Sequence, residues 1–113
     1  MLRLTSASPS GSLVLAVLAC GAAAAPMAAE PAAQTVTIEN MQFTPAHLSI
    51  HRGDRIVWVN NDLFPHTVTA ANKAFDSGSI DAGSSWTYRA DKPGEFAYSC
   101  TFHPTMKATL TVQ

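Results

Sequence analysis

From Thr35 to Gln113 apolar and polar side chains alternate in short runs, and turn residues separate the runs. A period of two is the signature of a strand with one buried face, and no stretch carries the 3.6-residue period of an amphipathic helix. Residues 35–39, 47–51, 55–60, 66–70, 84–89, 95–100 and 107–112 read as strands. Arg52-Gly53-Asp54, Asn60-Asn61-Asp62, Asp81-Ala82-Gly83 and Asp91-Lys92-Pro93-Gly94 supply turns, through residues that tolerate or preset turn dihedrals. Residues 72–80 are the least regular and read as a loop holding at most one short strand. About seven to eight short strands at this spacing predict an all-β fold, a Greek-key β-sandwich or barrel. Parity puts Leu48, Ile50, Phe96, Tyr98, Cys100, Ala108, Leu110 and Val112 inward, with Trp58 and Trp86 as core aromatics. His47 and His51 have the opposite parity and are expected to face solvent.

The first part of the chain has a different character. Arg3 is followed by the apolar run Leu13-Val14-Leu15-Ala16-Val17-Leu18-Ala19, and Ala22 to Ala25 are small. That run is too short to span a bilayer and fits the positive, apolar and small-residue regions of a secretory signal. The expected organisation is a signal peptide over residues 1–25, a linker over 26–33 and one domain over 34–113, exported to the periplasm. Val17-Leu18-Ala19-Cys20 also passes a permissive lipobox pattern, so a lipid anchor at Cys20 is the alternative processing. A domain of this size buries only about 60% of the surface its unfolded chain exposes, which makes a staple valuable.

Charge excludes one class of partner. Seven Lys and Arg nearly balance eight Asp and Glu, and no basic stretch is interleaved with aromatics, so nucleic acid is not an expected ligand. Beyond the leader no apolar segment reaches membrane-spanning length, and the domain is expected to be a monomer.

Once the leader is removed at Ala24 or Ala25, Cys100 is the one cysteine left. A lone thiol in an oxidising compartment can form no internal disulfide and is a liability unless buried or bound to metal. Its surroundings favour metal. Cys100-Thr101-Phe102-His103-Pro104-Thr105-Met106 sets a thiol, an imidazole and a thioether at three-residue intervals, at a strand end and in the loop beyond it. Soft thiolate, imidazole and weak thioether together suit copper in both of its oxidation states. One more nitrogen completes a trigonal set. His66 is its natural source, because it follows the 60–65 turn, which a sandwich can bring beside the Cys100 loop. Cys100, His66 and His103 are then equatorial ligands and Met106 a long axial contact.

These residues resemble the cupredoxin, or blue-copper, family. Phe43-Thr44-Pro45, Gly53-Asp54, Trp58-Val59-Asn60-Asn61-Asp62, Pro65-His66-Thr67-Val68, Ser77-Gly78, Pro93 to Cys100 and His103-Pro104-Thr105-Met106 fall in the family's order. The two-residue gaps on either side of His103 resemble the short amicyanin-type ligand loop rather than the longer plastocyanin type. The resemblance implies a cupredoxin fold and one copper ion held by His66, Cys100, His103 and Met106. Thr67 stands where many members carry an asparagine that braces the ligand loops. A single loop cysteine argues against a binuclear copper centre, which needs two bridging thiolates.

The implied function is one-electron transfer between redox partner proteins, with the electron leaving at His103 through an apolar collar of Phe102, Pro104, Thr105, Phe64 and Pro65. The alternative is copper buffering or delivery, for which an exposed methionine- or histidine-rich segment is the expected sign; none is present. Enzymatic readings are weak. A Cys-His nucleophile needs an orienting third group and a substrate cleft, and methionine is not a normal zinc ligand.

Overall fold

A computed structural model describes residues 3–19, 21 and 30–113. The expected cleavage at Ala24 or Ala25 and the alternative lipid site at Cys20 lie outside those residues. Eight strands follow one another: β1 Ala33–Glu39, β2 Gln42–Thr44, β3 His47–Ile50, β4 Arg55–Asn60, β5 Thr69–Ala70, β6 Ser85–Arg89, β7 Gly94–Ser99 and β8 Lys107–Val112. They form two four-stranded sheets, ordered β2-β1-β4-β6 and β3-β8-β7-β5. Two pairings are parallel, β1 with β4 and β3 with β8, and the remaining ladders are antiparallel. The result is the expected all-β sandwich.

The alternation that predicted the strands now shows its cause. Ile56 and Trp58 on β4, Val36 and Ile38 on β1, Phe96 and Tyr98 on β7 and Ala108, Leu110 and Val112 on β8 fill the space between the sheets. Register keeps them there: Trp58 lies opposite Trp86, Ile56 opposite Tyr88 and Phe96 opposite Leu110. A slip of one residue would turn each strand's apolar face to water. Trp58 is fully buried, its ring 5.5 Å from that of Trp86 and 5.7 Å from that of Tyr98. Its Nε1–H donates to Tyr98 Oη at 3.3 Å, which satisfies the indole inside the core. Burial pushes the Tyr98 phenol up to about 12, although the Trp58 hydrogen bond works against that rise. His47 and His51 are exposed, as their parity requires.

Two local features differ from the strand pattern read in the sequence. Strand β2 was not anticipated, since it is three residues long and buries Phe43 alone. It pairs back on β1 through Asn40 and Met41, whose φ angles of 53° and 59° match the left-handed turn that joins twisted antiparallel strands. His66 also lies outside any strand. It is fixed by a single antiparallel bridge to Ile80, His66 N–H donating to Ile80 O at 3.1 Å and Ile80 N–H to His66 O at 2.7 Å.

Candidate metal centre

The loop between β7 and β8 explains why the potential ligands recur every third residue. His103 N–H donates to Cys100 O at 3.2 Å, and Met106 N–H donates to His103 O at 2.9 Å. Each is the i to i+3 bond of a β-turn, so two consecutive turns run from Cys100 to His103 and from His103 to Met106. Pro104 occupies the second position of the later turn, where its fixed φ is preorganised. Cys100 N–H then donates to Met106 O at 3.2 Å and closes the loop on itself. Cysteine, histidine and methionine thus stand at the corners of one hydrogen-bonded loop.

His66 reaches this loop from the other sheet's connection. Asn60, fully buried at the end of β4, donates through Nδ2 to Phe64 O at 2.8 Å and to Ile80 O at 2.9 Å. Its Oδ1 accepts Asp62 N–H at 3.0 Å. One buried amide therefore shapes the whole 60–64 turn that delivers His66. The ring of His66 is fully buried, with Nδ1 3.7 Å from Cys100 Sγ, and His103 Nδ1 lies 3.8 Å from the same sulfur. The ring centroids of His66 and His103 are 5.0 Å apart, and the three donor atoms all lie within 4.8 Å of one another. Cys100 is fully buried, Met106 is buried at the foot of the loop, and His103 is half-buried.

These distances fit a metal. With bonds of about 2.3 Å to sulfur and about 2.0 Å to nitrogen, a first-row ion in a trigonal plane separates sulfur from nitrogen by about 3.7 Å. The donors are a thiol and two imidazoles, with a thioether in the same loop, which is a set suited to copper.

Two neighbours outside the ligand set hold the site, and of these only Asp62 was not singled out in the sequence. Asp62 Oδ2 lies 2.8 Å from His66 Nε2, the ring nitrogen that faces away from Cys100. The same carboxylate accepts Asn40 N–H at 2.7 Å and Met41 N–H at 3.0 Å. Burial raises its pKa, but the Met41 amide, the His66 ring and the Asn40 amide outweigh burial and hold it below the usual carboxylate value. A carboxylate on the outer nitrogen fixes the tautomer with Nδ1 free to bind. Thr67 is the second. Its N–H donates to Cys100 Sγ at 3.3 Å and its Oγ1 accepts Thr101 N–H at 2.8 Å, so threonine fills the bracing place expected for an asparagine.

The profile of the cupredoxin-like domain matches residues 11–112. The chain belongs to that family. Among similar cupredoxins, amicyanin-alpha of Methylorubrum extorquens is 28% identical over 87% of this chain and 87% of its own. Plastocyanin of Scenedesmus fuscus is 32% identical, covering 63% of this chain and 86% of its own. Among solved structures, an amicyanin mutant in the reduced state superposes on this cupredoxin with a TM-score of 0.66 at 26% identity, over 72% of this chain and 82% of that one. A copper-containing nitrite reductase from Thermus scotoductus gives a TM-score of 0.69 at 28% identity, over 76% of this chain but only 23% of the reductase.

Proposed function

We propose that this cupredoxin is an exported type 1 (blue) copper protein that carries single electrons between partner proteins. The observation that carries the reading is the convergence of two Nδ1 atoms on one fully buried thiol, 3.7 and 3.8 Å away. His66, Cys100, His103 and Met106 would hold the ion. A bound copper ion would supply one-electron chemistry there through its Cu(II)/Cu(I) couple. The protein's part is to keep the donors still, since a site that need not rearrange between oxidation states transfers electrons readily. Asn60, Asp62 and Thr67 do this from one side and the two turns of the loop from the other.

The same residues suggest where electrons leave. Cys100 is sealed inside, whereas His103 is half-buried and its loop neighbours Phe102 and Pro104 are exposed. Leu63 and Phe64, in the turn before His66, are exposed too, and together these uncharged residues would form a collar around the His103 edge. An apolar rim lets a partner approach closely, and redox encounters use small, weak interfaces. Similarity to amicyanins and plastocyanins, which are blue-copper electron carriers, favours a carrier over an enzyme. The nitrite reductase match extends over less than a quarter of that chain.

Export rests on the leader. Leu13, Val14, Leu15, Val17 and Leu18 lie at least 74% exposed without regular secondary structure, which supports a leader here even though the family match begins at residue 11. No helix among the described residues is long and apolar enough to cross a membrane.

One preparation tests the reading. The full chain is expressed with its leader, recovered from the periplasm and loaded with Cu(II). The expected product begins near residue 25 by intact mass and shows an intense visible thiolate-to-copper band. Cys100→Ser should lose the band and keep its β-sheet circular dichroism. A protein that binds one Cu(II) and stays colourless refutes the type 1 assignment.

A further inference from the structure

A continuous chain of hydroxyl groups runs from the metal loop to a surface carboxylate. Thr67 Oγ1 lies 3.0 Å from Thr101 Oγ1 and 3.0 Å from Thr69 Oγ1, and Thr69 Oγ1 lies 3.1 Å from Asp76 Oδ1. Thr101 N–H donates to Thr67 Oγ1 as well, at 2.8 Å. Thr67 follows His66 and Thr101 follows Cys100, so the chain joins the two segments that bring the first imidazole and the thiol.

The direction of its protons follows from counting donors. A hydroxyl has one proton to give and two lone pairs, whereas a carboxylate only accepts. Asp76 therefore takes the proton of Thr69. Thr69 can then only accept from Thr67, and this commits the single proton of Thr67. The two lone pairs left on Thr67 match its two remaining neighbours, the N–H and the O–H of Thr101. Only this order satisfies all the contacts, and in it each hydroxyl donates one step along the chain from Thr101 toward Asp76.

We infer that Asp76 is a positioning residue for the metal centre, acting through Thr69 and Thr67 to orient the hydroxyls beside Cys100 and to fasten the Cys100–Thr101 peptide to the His66 segment. Asp76 is itself held for the task. Its Oδ1 also accepts Gly78 N–H at 3.0 Å, in a turn where Gly78 has a φ of 63°, and it bridges Thr69 across the backbone. The next residue, Ser77, accepts Val68 N–H through Oγ at 2.7 Å, so the 76–78 turn is fastened beside Thr67 at two points. If Thr69 loses its hydroxyl, Thr67 has one acceptor left for its proton, Thr101 Oγ1. That hydroxyl pair must then reverse beside the sulfur. Hydrogen bonding around a copper-bound cysteine tunes its redox potential.

The inference concerns the copper site proposed above, but one of its two readouts needs no copper. Thr69→Val keeps the side-chain shape and the charge of Asp76 while cutting the chain; Thr69→Ser restores the hydroxyl. Thr69 is half-buried and outside the core, so both variants keep the fold. In copper-free protein, the Thr101 amide of Thr69→Val should exchange with solvent roughly fivefold faster, the weight of one net hydrogen bond. In copper-loaded protein its reduction potential should shift although no charge has changed, and Thr69→Ser should return both readouts toward wild type. Wild-type exchange at Thr101 in Thr69→Val overturns the inference, and so does an unshifted potential. A wild type that takes up no copper refutes the copper reading instead, and the copper-free exchange still decides the relay.

Discussion

Asp62 joins the site to a turn outside it. Its carboxylate holds the outer nitrogen of His66 and, in the same grip, the two amides of the left-handed β1–β2 turn. A histidine ligand braced in this way gives up its partner at a cost of about 10- to 100-fold in metal affinity. Asp62→Ala should therefore weaken Cu(I) and Cu(II) binding by about that factor, as read by competition with a chelator, while His47→Ala leaves it unchanged. Nothing in the alternation of residues 55–70 marks Asp62 for this role. The bond arises from the turn that Asn60 shapes, and a four-residue separation outside a helix carries no sequence signal.

Among the elements, the joint before β4 depends on one buried carboxylate. Asp54 accepts His51 N–H at 2.9 Å and Ala32 N–H at 2.9 Å, tying the β3–β4 turn to the entry of β1. The His51 and Ala32 amides hold its pKa below the usual carboxylate value, against the opposing effect of burial, with a smaller pull from the His51 ring. A depressed folded-state pKa gives stability that is present above the unfolded value and is lost as pH falls through the folded one. Asp54→Asn should thus be less stable than wild type in urea at pH 7. The gap should begin to narrow below about pH 4, the ordinary value of an unfolded Asp, and close as pH falls through the lower folded-state value. A gap that stayed constant down to pH 2 would show that shape, not charge, is what Asp54 contributes.

Elements were legible in the sequence wherever one face is buried over several residues. Strands β4 and β8 match the runs read at 55–60 and 107–112 end for end. Strand β2 offers one inward side chain, too few to establish a period, and the run at 66–70 narrows to Thr69–Ala70 because its first residues bind a loop instead of a ladder. The candidate site was legible for a different reason. Cysteine, histidine and methionine were placed by turn length, and a β-turn writes its length into the spacing. His66 was located by what precedes it. Asn60 and Asp62 steady His66 through side-chain contacts within an irregular turn and to other segments, which leave no period in the sequence, whereas Thr67 was marked only by the family resemblance.

At the scale of the molecule, the domain has Cys100 as its one cysteine among the described residues and no disulfide to limit its unfolded state. Its other resource is the ion. A ligand that binds only the folded form at a hundred times its Kd adds about 2.7 kcal/mol. For a domain this small, that corresponds to a rise in Tm of about 10 °C or more. Copper-loaded protein should melt higher by at least that margin, and chelation should reverse the gain. Scanning calorimetry of the two forms checks it, and coincident transitions would count against a tightly held metal.

Strand β8 is the eighth in sequence yet lies inside its sheet, between β3 and β7. A ribosome issues the chain from its N terminus, so β3 and β7 emerge before the strand that joins them. Until Lys107–Val112 appears, two unjoined edges wait for it, and the loop carrying His103 and Met106 has nothing to close against. Assembly of this sheet therefore waits for β8, since non-local pairing is slow and must follow delivery of both partners. A nascent chain kept from folding early is one that a secretion channel could still thread, as the export proposed above would require.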